Sequence, residues 1–507
     1  MKKIFISTAL IVLIVALLFP VTLLSREVKW KIKSTVTWTI KGNFNLYYQL
    51  PELQYALAKG SPYPLKGIQV RVSAAEQGIG KWNTWPDVTT ASDGSFKVTN
   101  EKDQTKRKFR VEFRFHSDEL EIRHENSTEE LFSKDAKWYT AYETDDFFDA
   151  GTINLGTFIF RENAKLDVGA FEPRRHAEIW IVAKAAIDYF KTFGSAYEYK
   201  STNYHSKQIK IKYPHDDTKA FGDVTASYSN PLNGVIYLYR NSSGSNDHFD
   251  VATIYHEMMH IWAYEHNSWP NGGEIDLMFA IVSQKYGHDS HGFTNNKVAF
   301  HEGFAEYASD ELCLALFPKS NSVSTASSST TYVTGIHYHE ARLPYNRDRL
   351  NEGVASPGDD GSSKITSIDK MQTHDAGWWS YLHILTTLGL EAKTFSRSII
   401  STSTSYAKVF NTQTFGCTNC FIGTQYGANQ TGSCTLTKQI SFKDVLKVFN
   451  SNSSAGYSTA LGTDDMKLDK FIQRAKAILG LSTKDADTYI RLADPSGNLQ
   501  PYDALCK

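Results

Sequence analysis

The sequence predicts a multidomain α+β protein: an N-terminal β-sandwich, then a mixed domain whose C-terminal lobe is largely helical. Three observations carry this. Apolar and polar residues alternate through the first third, as in Ile68–Val72 and Phe109–Phe115, and a period of two marks a half-buried strand. From about residue 164 the pattern changes: Phe171–Phe193 sets Ile179, Val182, Ile187 and Phe190 on one apolar helical face, and Phe442–Phe449, Met466–Leu479 and Ala486–Leu492 also read as helices. The length, 507 residues, suffices for two or three domains with a sizeable core. The expected organisation is therefore residues 26–163 as an accessory β-sandwich and 164–507 as the second domain, with its helical lobe from about residue 368.

The chain begins Met1-Lys2-Lys3, followed by an apolar run from Ile4 to Leu24 broken by Ser7, Thr8, Pro20 and Thr22. A positive start before such a run is either a secretory signal or an N-terminal membrane anchor, occupying residues 1–25. Either form exports the bulk of the chain, and the second attaches it to a membrane through residues 4–24. The formal net charge is −1, so no basic excess points to nucleic acid. Of the five cysteines, Cys313 sits in an apolar helical stretch and reads as a buried free thiol. Cys417, Cys420, Cys434 and Cys506 suit two disulfides in an exported protein, with three pairings open; half of a second zinc site at Cys417 and Cys420 is the alternative. Asn126, Asn241, Asn429 and Asn452 head glycosylation sequons.

In the first region Leu65-Lys66-Gly67 leads into the strand Ile68–Val72, Asp93-Gly94-Ser95-Phe96 makes a tight turn into another, and Phe109–Phe115 follows. This series resembles the transthyretin-like β-sandwich that accompanies many secreted carboxypeptidases, and the resemblance implies an accessory module without catalytic residues. Trp82 and Trp85 lie in its loop, either to bind sugar or protein or to pack at the sandwich edge.

The chemistry concentrates in Thr253–Trp262, which contains His256-Glu257-Met258-Met259-His260. Residues four apart share a helix face, so His256 and His260 are placed to direct two imidazole nitrogens at one zinc ion. Glu257 stands where zinc hydrolases carry the general base for the attacking water. Val251, Ile254, Tyr255, Met258, Met259 and Trp262 make the segment apolar around most of its circumference, the mark of a buried helix, with Asp250 as its N-cap. Two histidines satisfied within a core are the bland alternative. Upstream, Ile209–Tyr213 and Val235–Tyr239 read as strands. Helix, strands, then this helix is the order of the zincin metallopeptidase fold, and Val235–Tyr239 is expected to be the sheet edge that pairs with an extended substrate.

Downstream, Phe300-His301-Glu302-Gly303-Phe304-Ala305-Glu306-Tyr307 resembles the third-ligand segment of the gluzincins, and the NEGFA stretch of zinc aminopeptidases with His301 in place of Asn. The resemblance implies Glu302 as third metal ligand and Glu306 as the acid that accepts a hydrogen bond from a ligand histidine. A rival exists in His266, ten positions after His256, where metzincins place a third histidine. Those enzymes turn the chain at a glycine, and here Ala263 holds that position. The oxyanion donor is expected from Thr373–Leu382, where His374 stands at the tyrosine position of the related YxxG pattern, or from Tyr338. The free-amine-binding GAMEN segment has no counterpart, which favours an endopeptidase or an unusual exopeptidase over an aminopeptidase.

The expectation is thus an exported, zinc-dependent, zincin-like metallopeptidase acting on protein or peptide substrates. The metal falls to His256, His260 and Glu302, the general base to Glu257, and oxyanion stabilisation to His374 or Tyr338. Two competitors stay open: a catalytically silent zincin-fold binding or adhesion protein, and a zinc hydrolase of a non-peptide amide in cell-wall or glycan material.

Overall fold

The computed structural model describes residues 34–47, 62–123, 138–160, 173–199, 208–215, 227–230, 234–239, 251–266, 296–316, 382, 440–449 and 468–483. Over these residues the protein is a mixed α+β molecule with three sheets.

In the first sheet, β1 (Val36–Leu46) pairs in parallel with β10 (Thr152–Phe160) and antiparallel with β6 (Ser95–Lys102) and β2 (Tyr63–Pro64). The second runs β4 (Trp82–Thr84), β3 (Gln69–Glu76), β7 (Arg107–Arg114), β9 (Tyr139–Glu143), with β5 (Val88–Thr89) also on β3. The alternation legible in the sequence becomes two facing apolar layers. Trp38 and Phe44 of β1 meet Phe109 and Phe113 of β7 at ring-centroid distances of 5.8 and 5.5 Å. The turn before β6 depends on glycine. Gly94 has φ +76°, and a Cβ there would lie 2.4 Å from the Phe44 carbonyl oxygen. The Ser95 N–H donates to the Asp93 carboxylate at 2.9 Å, closing the turn.

Arg71 of β3 and Arg110 of β7 face outward and find partners on neighbouring segments. Arg71 donates twice to Asp87, at 2.9 Å each, and lies 3.9 Å from the Trp138 ring centroid. Arg110 pairs with Glu143 and covers Trp82 at 4.4 Å. Trp85 is buried edge-on against Phe109, so of the two loop tryptophans one packs in the core and the other is half-covered by cations.

The third sheet has the order β12 (Tyr228–Asn230), β13 (Val235–Tyr239), β11 (Ile209–His215), β8 (Leu120–Arg123). Strand β8 comes from within residues 26–163 but pairs in parallel with β11, so the first region contributes a strand to the sheet of the second. The expected edge, Val235–Tyr239, is corrected here: β13 is flanked by β11 and by β12, the antiparallel strand at the end of the sheet. Ile236 and Leu238, two apart and so on one face of the strand, are fully buried.

Helix α1 (Pro173–Phe193) joins these parts. The Trp180 indole donates to the Lys66 carbonyl at 3.0 Å, and His176 Nε2 donates to the Tyr213 carbonyl at 2.6 Å. Gly194, at φ +102°, follows its last turn. Helices α2 (Val251–Glu265) and α3 (Asn296–Leu316) pack on one another. Behind them lie α4 (Phe442–Phe449) and α5 (Leu468–Leu479). At the start of α4 the Asp444 N–H donates to Ser441 Oγ and the Ser441 N–H to the Asp444 carboxylate, a reciprocal cap. Phe449 packs on Phe304 of α3 at 4.5 Å and on Phe471 of α5 at 4.8 Å. One continuous apolar core runs through all three sheets and the helices. Cys313 lies buried in it, outside any disulfide. Among the described residues no helix is long and apolar enough to cross a membrane. Residues 1–25, the four later cysteines, the four sequons and the expected helix Ala486–Leu492 lie outside the described residues.

Candidate metal centre

Two largely apolar helices enclose this site, with His256, Glu257, His260 and Glu302 mostly buried between them. In α2, Val251, Ile254, Tyr255, Met258, Met259, Ile261 and Trp262 are fully buried; in α3, Phe300, Phe304, Ala305, Tyr307, Ala308 and Leu312 are. Such helices are held by burial on most sides rather than by one amphipathic stripe. The polar groups caught between them must find partners there.

His256 Nε2 lies 3.0 Å from Glu302 Oε2 and 3.0 Å from His260 Nε2; His260 Nε2 lies 3.4 Å from the same Glu302 oxygen. The two imidazole rings stand nearly perpendicular, at 86°. Three electron-rich atoms therefore converge in a triangle. A tetrahedral zinc ion with ligands at about 2.0–2.1 Å needs ligand atoms about 3.3 Å apart. The separations here match that edge, and two histidines with one glutamate form a donor set that catalytic zinc sites use while leaving a fourth position open. The residues present fit the metal.

The electrostatics point the same way. Burial alone would depress the His256 pKa, but the hydrogen bond and charge of Glu302, with the charges of Glu306 and Glu257, lift it to about 10. The pocket is thus strongly negative and favours a cation between its carboxylates. A metal ion taking that place displaces the proton.

Glu257 has 6% of its surface exposed, and among the described residues its carboxylate makes no hydrogen bond or ion pair. Glu306 Oε1 lies 4.0 Å from His256 Nδ1, the ring atom turned away from the triangle. That separation is longer than a hydrogen bond, so the hydrogen bond expected of Glu306 to a ligand histidine is not made to His256 here. His301 is buried beside Phe300, at 5.0 Å between ring centroids. His374, Tyr338 and Asp250 lie outside the described residues.

His266, the rival ligand, lies elsewhere. Helix α2 continues through Ala263 to Glu265, so no glycine-type turn folds the chain back. Ten helical residues advance about 15 Å along the axis, too far for His266 and His256 to share an ion. His266 Nε2 instead donates to the Glu198 carbonyl at 2.8 Å, and its ring stacks on Trp262 at 4.2 Å. Sequence reasoning missed the segment that receives it. The Trp262 indole donates to the Tyr197 carbonyl at 2.9 Å, and the Tyr199 hydroxyl donates to the Met258 carbonyl at 3.3 Å. The only signal available was Trp262 and His266 at a four-residue spacing, which stacks two rings on one helix face.

No family model matches the sequence, and no curated protein matches it. Among solved structures, the crystal structure of a 9R-lipoxygenase from Cyanothece PCC8801 is similar over 31% of this chain and 23% of that chain, at 14% sequence identity and a TM-score of 0.16. A likeness that slight carries no argument about fold or chemistry.

Proposed function

We propose that this protein is an exported zinc-dependent metallopeptidase of the gluzincin type, its zincin-like domain preceded by a transthyretin-like accessory sandwich. The observation that carries this reading is the convergence of His256, His260 and Glu302, with nitrogen and oxygen atoms 3.0–3.4 Å apart between two buried helices. These three residues would hold the ion, and a zinc ion so held supplies Lewis acidity toward water and a carbonyl oxygen. Glu257 follows His256 directly and is buried without another partner among the described residues. It accepts the proton of the attacking water and passes it to the leaving amine. Glu306 lies on the outer side of His256, 4.0 Å from its Nδ1, and its charge favours a proton on that outer nitrogen, which leaves the inner one free for the ion. His374 or Tyr338 steadies the oxyanion. An extended peptide finds its backbone partners on β12, which lies against α2 at the end of the third sheet.

The test is cleavage of a peptide library by the purified protein, with zinc content measured on the same sample. Cleavage abolished by a chelator and restored by zinc supports the reading. Stoichiometric zinc with no cleavage of any peptide points to a silent scaffold, and chelator-sensitive release of amines from cell-wall or glycan material alone points to the non-peptide amide hydrolase. A protein that takes up no zinc overturns all three.

A further inference from the structure

We propose that His266 is a positioning residue for the metal centre: together with Trp262 and Tyr199 it locks the C-terminal half of α2 to the segment Tyr197–Tyr199, and thereby fixes the direction in which His260 points. The proposal rests on the metal reading above and assigns to His266 a role distinct from ligation.

Three side-chain hydrogen bonds tie the two segments. Tyr199 O–H donates to the Met258 carbonyl at 3.3 Å, Trp262 Nε1–H to the Tyr197 carbonyl at 2.9 Å, and His266 Nε2–H to the Glu198 carbonyl at 2.8 Å. Three consecutive residues after α1 thus meet Met258, Trp262 and His266, spaced four apart, the first two on successive turns of α2 and the last just beyond it. Met258 and Trp262 bracket His260 by two residues on either side. The His266 N–H also donates to the Trp262 carbonyl at 3.1 Å, so the same residue closes the last turn of the helix. A carbonyl oxygen only accepts, so the proton sits on His266 Nε2, and that nitrogen is committed to the backbone of Glu198. Phe190 of α1 stacks on Trp262 at 5.8 Å and meets Tyr199 edge-on at 5.4 Å, which encloses the lock in apolar surroundings. His266 itself is 3% exposed, far more buried than a charge at a helix end needs to be.

The reason such a lock matters is geometric. Much of α2 is buried in apolar packing, which is strong but not directional, whereas a hydrogen bond constrains angle as well as distance. The tip of a side chain lies roughly 6 Å from the helix axis, so turning α2 by about 10° moves an imidazole nitrogen by about 1 Å. A zinc site tolerates deviations of about 0.2 Å. Bonds at Met258, Trp262 and His266 oppose that rotation on both sides of His260.

The test uses the full-length protein, with zinc affinity measured by competition against a chromophoric chelator and the melting midpoint of the metal-free protein measured alongside. His266→Ala is expected to weaken zinc binding about 10-fold or more, the size of effect that groups orienting a metal ligand produce. His266→Gln, whose amide can donate to the same carbonyl, is expected to restore most of it. Tyr199→Phe removes a single hydroxyl and is expected to weaken zinc binding several-fold at a near-unchanged melting midpoint. Where His266→Ala fails to fold, His266→Gln and Tyr199→Phe decide. A wild-type protein that binds zinc beside variants that bind it equally well, whatever their melting midpoints, overturns the positioning role and leaves the metal reading intact. A wild-type protein that takes up no zinc overturns both.

Discussion

The face-to-face sheets and the α2–α3 pair solve opposite problems with similar residues. On the outer face of β3 and β7 each arginine has a partner within reach: Arg71 has Asp87 and Trp138, and Arg110 has Glu143 and Trp82. Charges there are half-exposed and mutually neutralised. Between α2 and α3, by contrast, two imidazoles and a carboxylate are pressed together with Glu257 and Glu306 close by, and the balance is negative enough to lift His256 to about 10. A surface that is internally neutralised stabilises itself a little; a buried cluster that could hold a cation is where a function is to be sought.

Substitutions sharpen this contrast, beginning with the largest effect. Glu257→Gln should lower kcat/KM for peptide cleavage by about 10²–10⁴-fold, the usual contribution of a general base, with zinc content unchanged; retained turnover would remove Glu257 from the mechanism. Glu302→Gln should weaken zinc binding by more than the roughly 10–100-fold typical of groups that merely orient a ligand. Full zinc occupancy in Glu302→Gln at limiting zinc would break the assignment. In the facing sheets, Phe109→Ala should cost about 3–5 kcal/mol in denaturant unfolding by leaving a cavity, with zinc affinity unaltered; a matching loss of zinc would mean that the two regions are coupled more tightly than their separate chemistries imply.

The smallest effects belong to the surface charges. Asp87→Asn should change stability by less than about 1 kcal/mol in an unfolding titration, so a larger loss would show that this pair works as part of a network. Acid should separate the regions as well. Lys184 and Lys191 outweigh the burial of Glu119 and hold its carboxyl below the usual range, and Lys184 with its neighbours does the same for Asp188. A depressed carboxylate stabilises the fold above its unfolded-state pKa of about 4 and loses that contribution as pH falls through its folded-state value. Stability measured from pH 6 down to pH 3 should therefore decline more gently in Glu119→Gln than in the wild type, and an identical slope would count against the lysine cluster as an acid-sensitive clamp.

Much of the architecture was legible because it is written locally. Period-two alternation located β3 and β7, the Asp93-Gly94 turn located the start of β6, and helical periodicity located Pro173–Phe193 and Phe442–Phe449. Strand neighbours were not legible in the same way. Val235–Tyr239 was expected at an edge, yet Tyr228–Asn230 pairs along it, and Leu120–Arg123 crosses from the first region to join β11. A strand's own residues specify which face is buried, but not which other strand occupies each side, because ladder hydrogen bonds involve the backbone that all residues share.

The same division runs through the candidate site. The sequence alone determined that His256 and His260 share a helix face with Glu257 between them, since a spacing of four settles this wherever the helix lies. It also put Glu302 forward as the third arm, with His266 as its rival, on the strength of motifs that say nothing of distance in space. Only the packing of α3 against α2 brought Glu302 within 3.0 Å of His256, and only the continuation of α2 through Ala263 carried His266 away to the Glu198 carbonyl. Neighbours along a helix follow from the bond geometry of one segment. Neighbours 46 positions apart follow from which apolar faces exclude water together, and that is a property of the whole core.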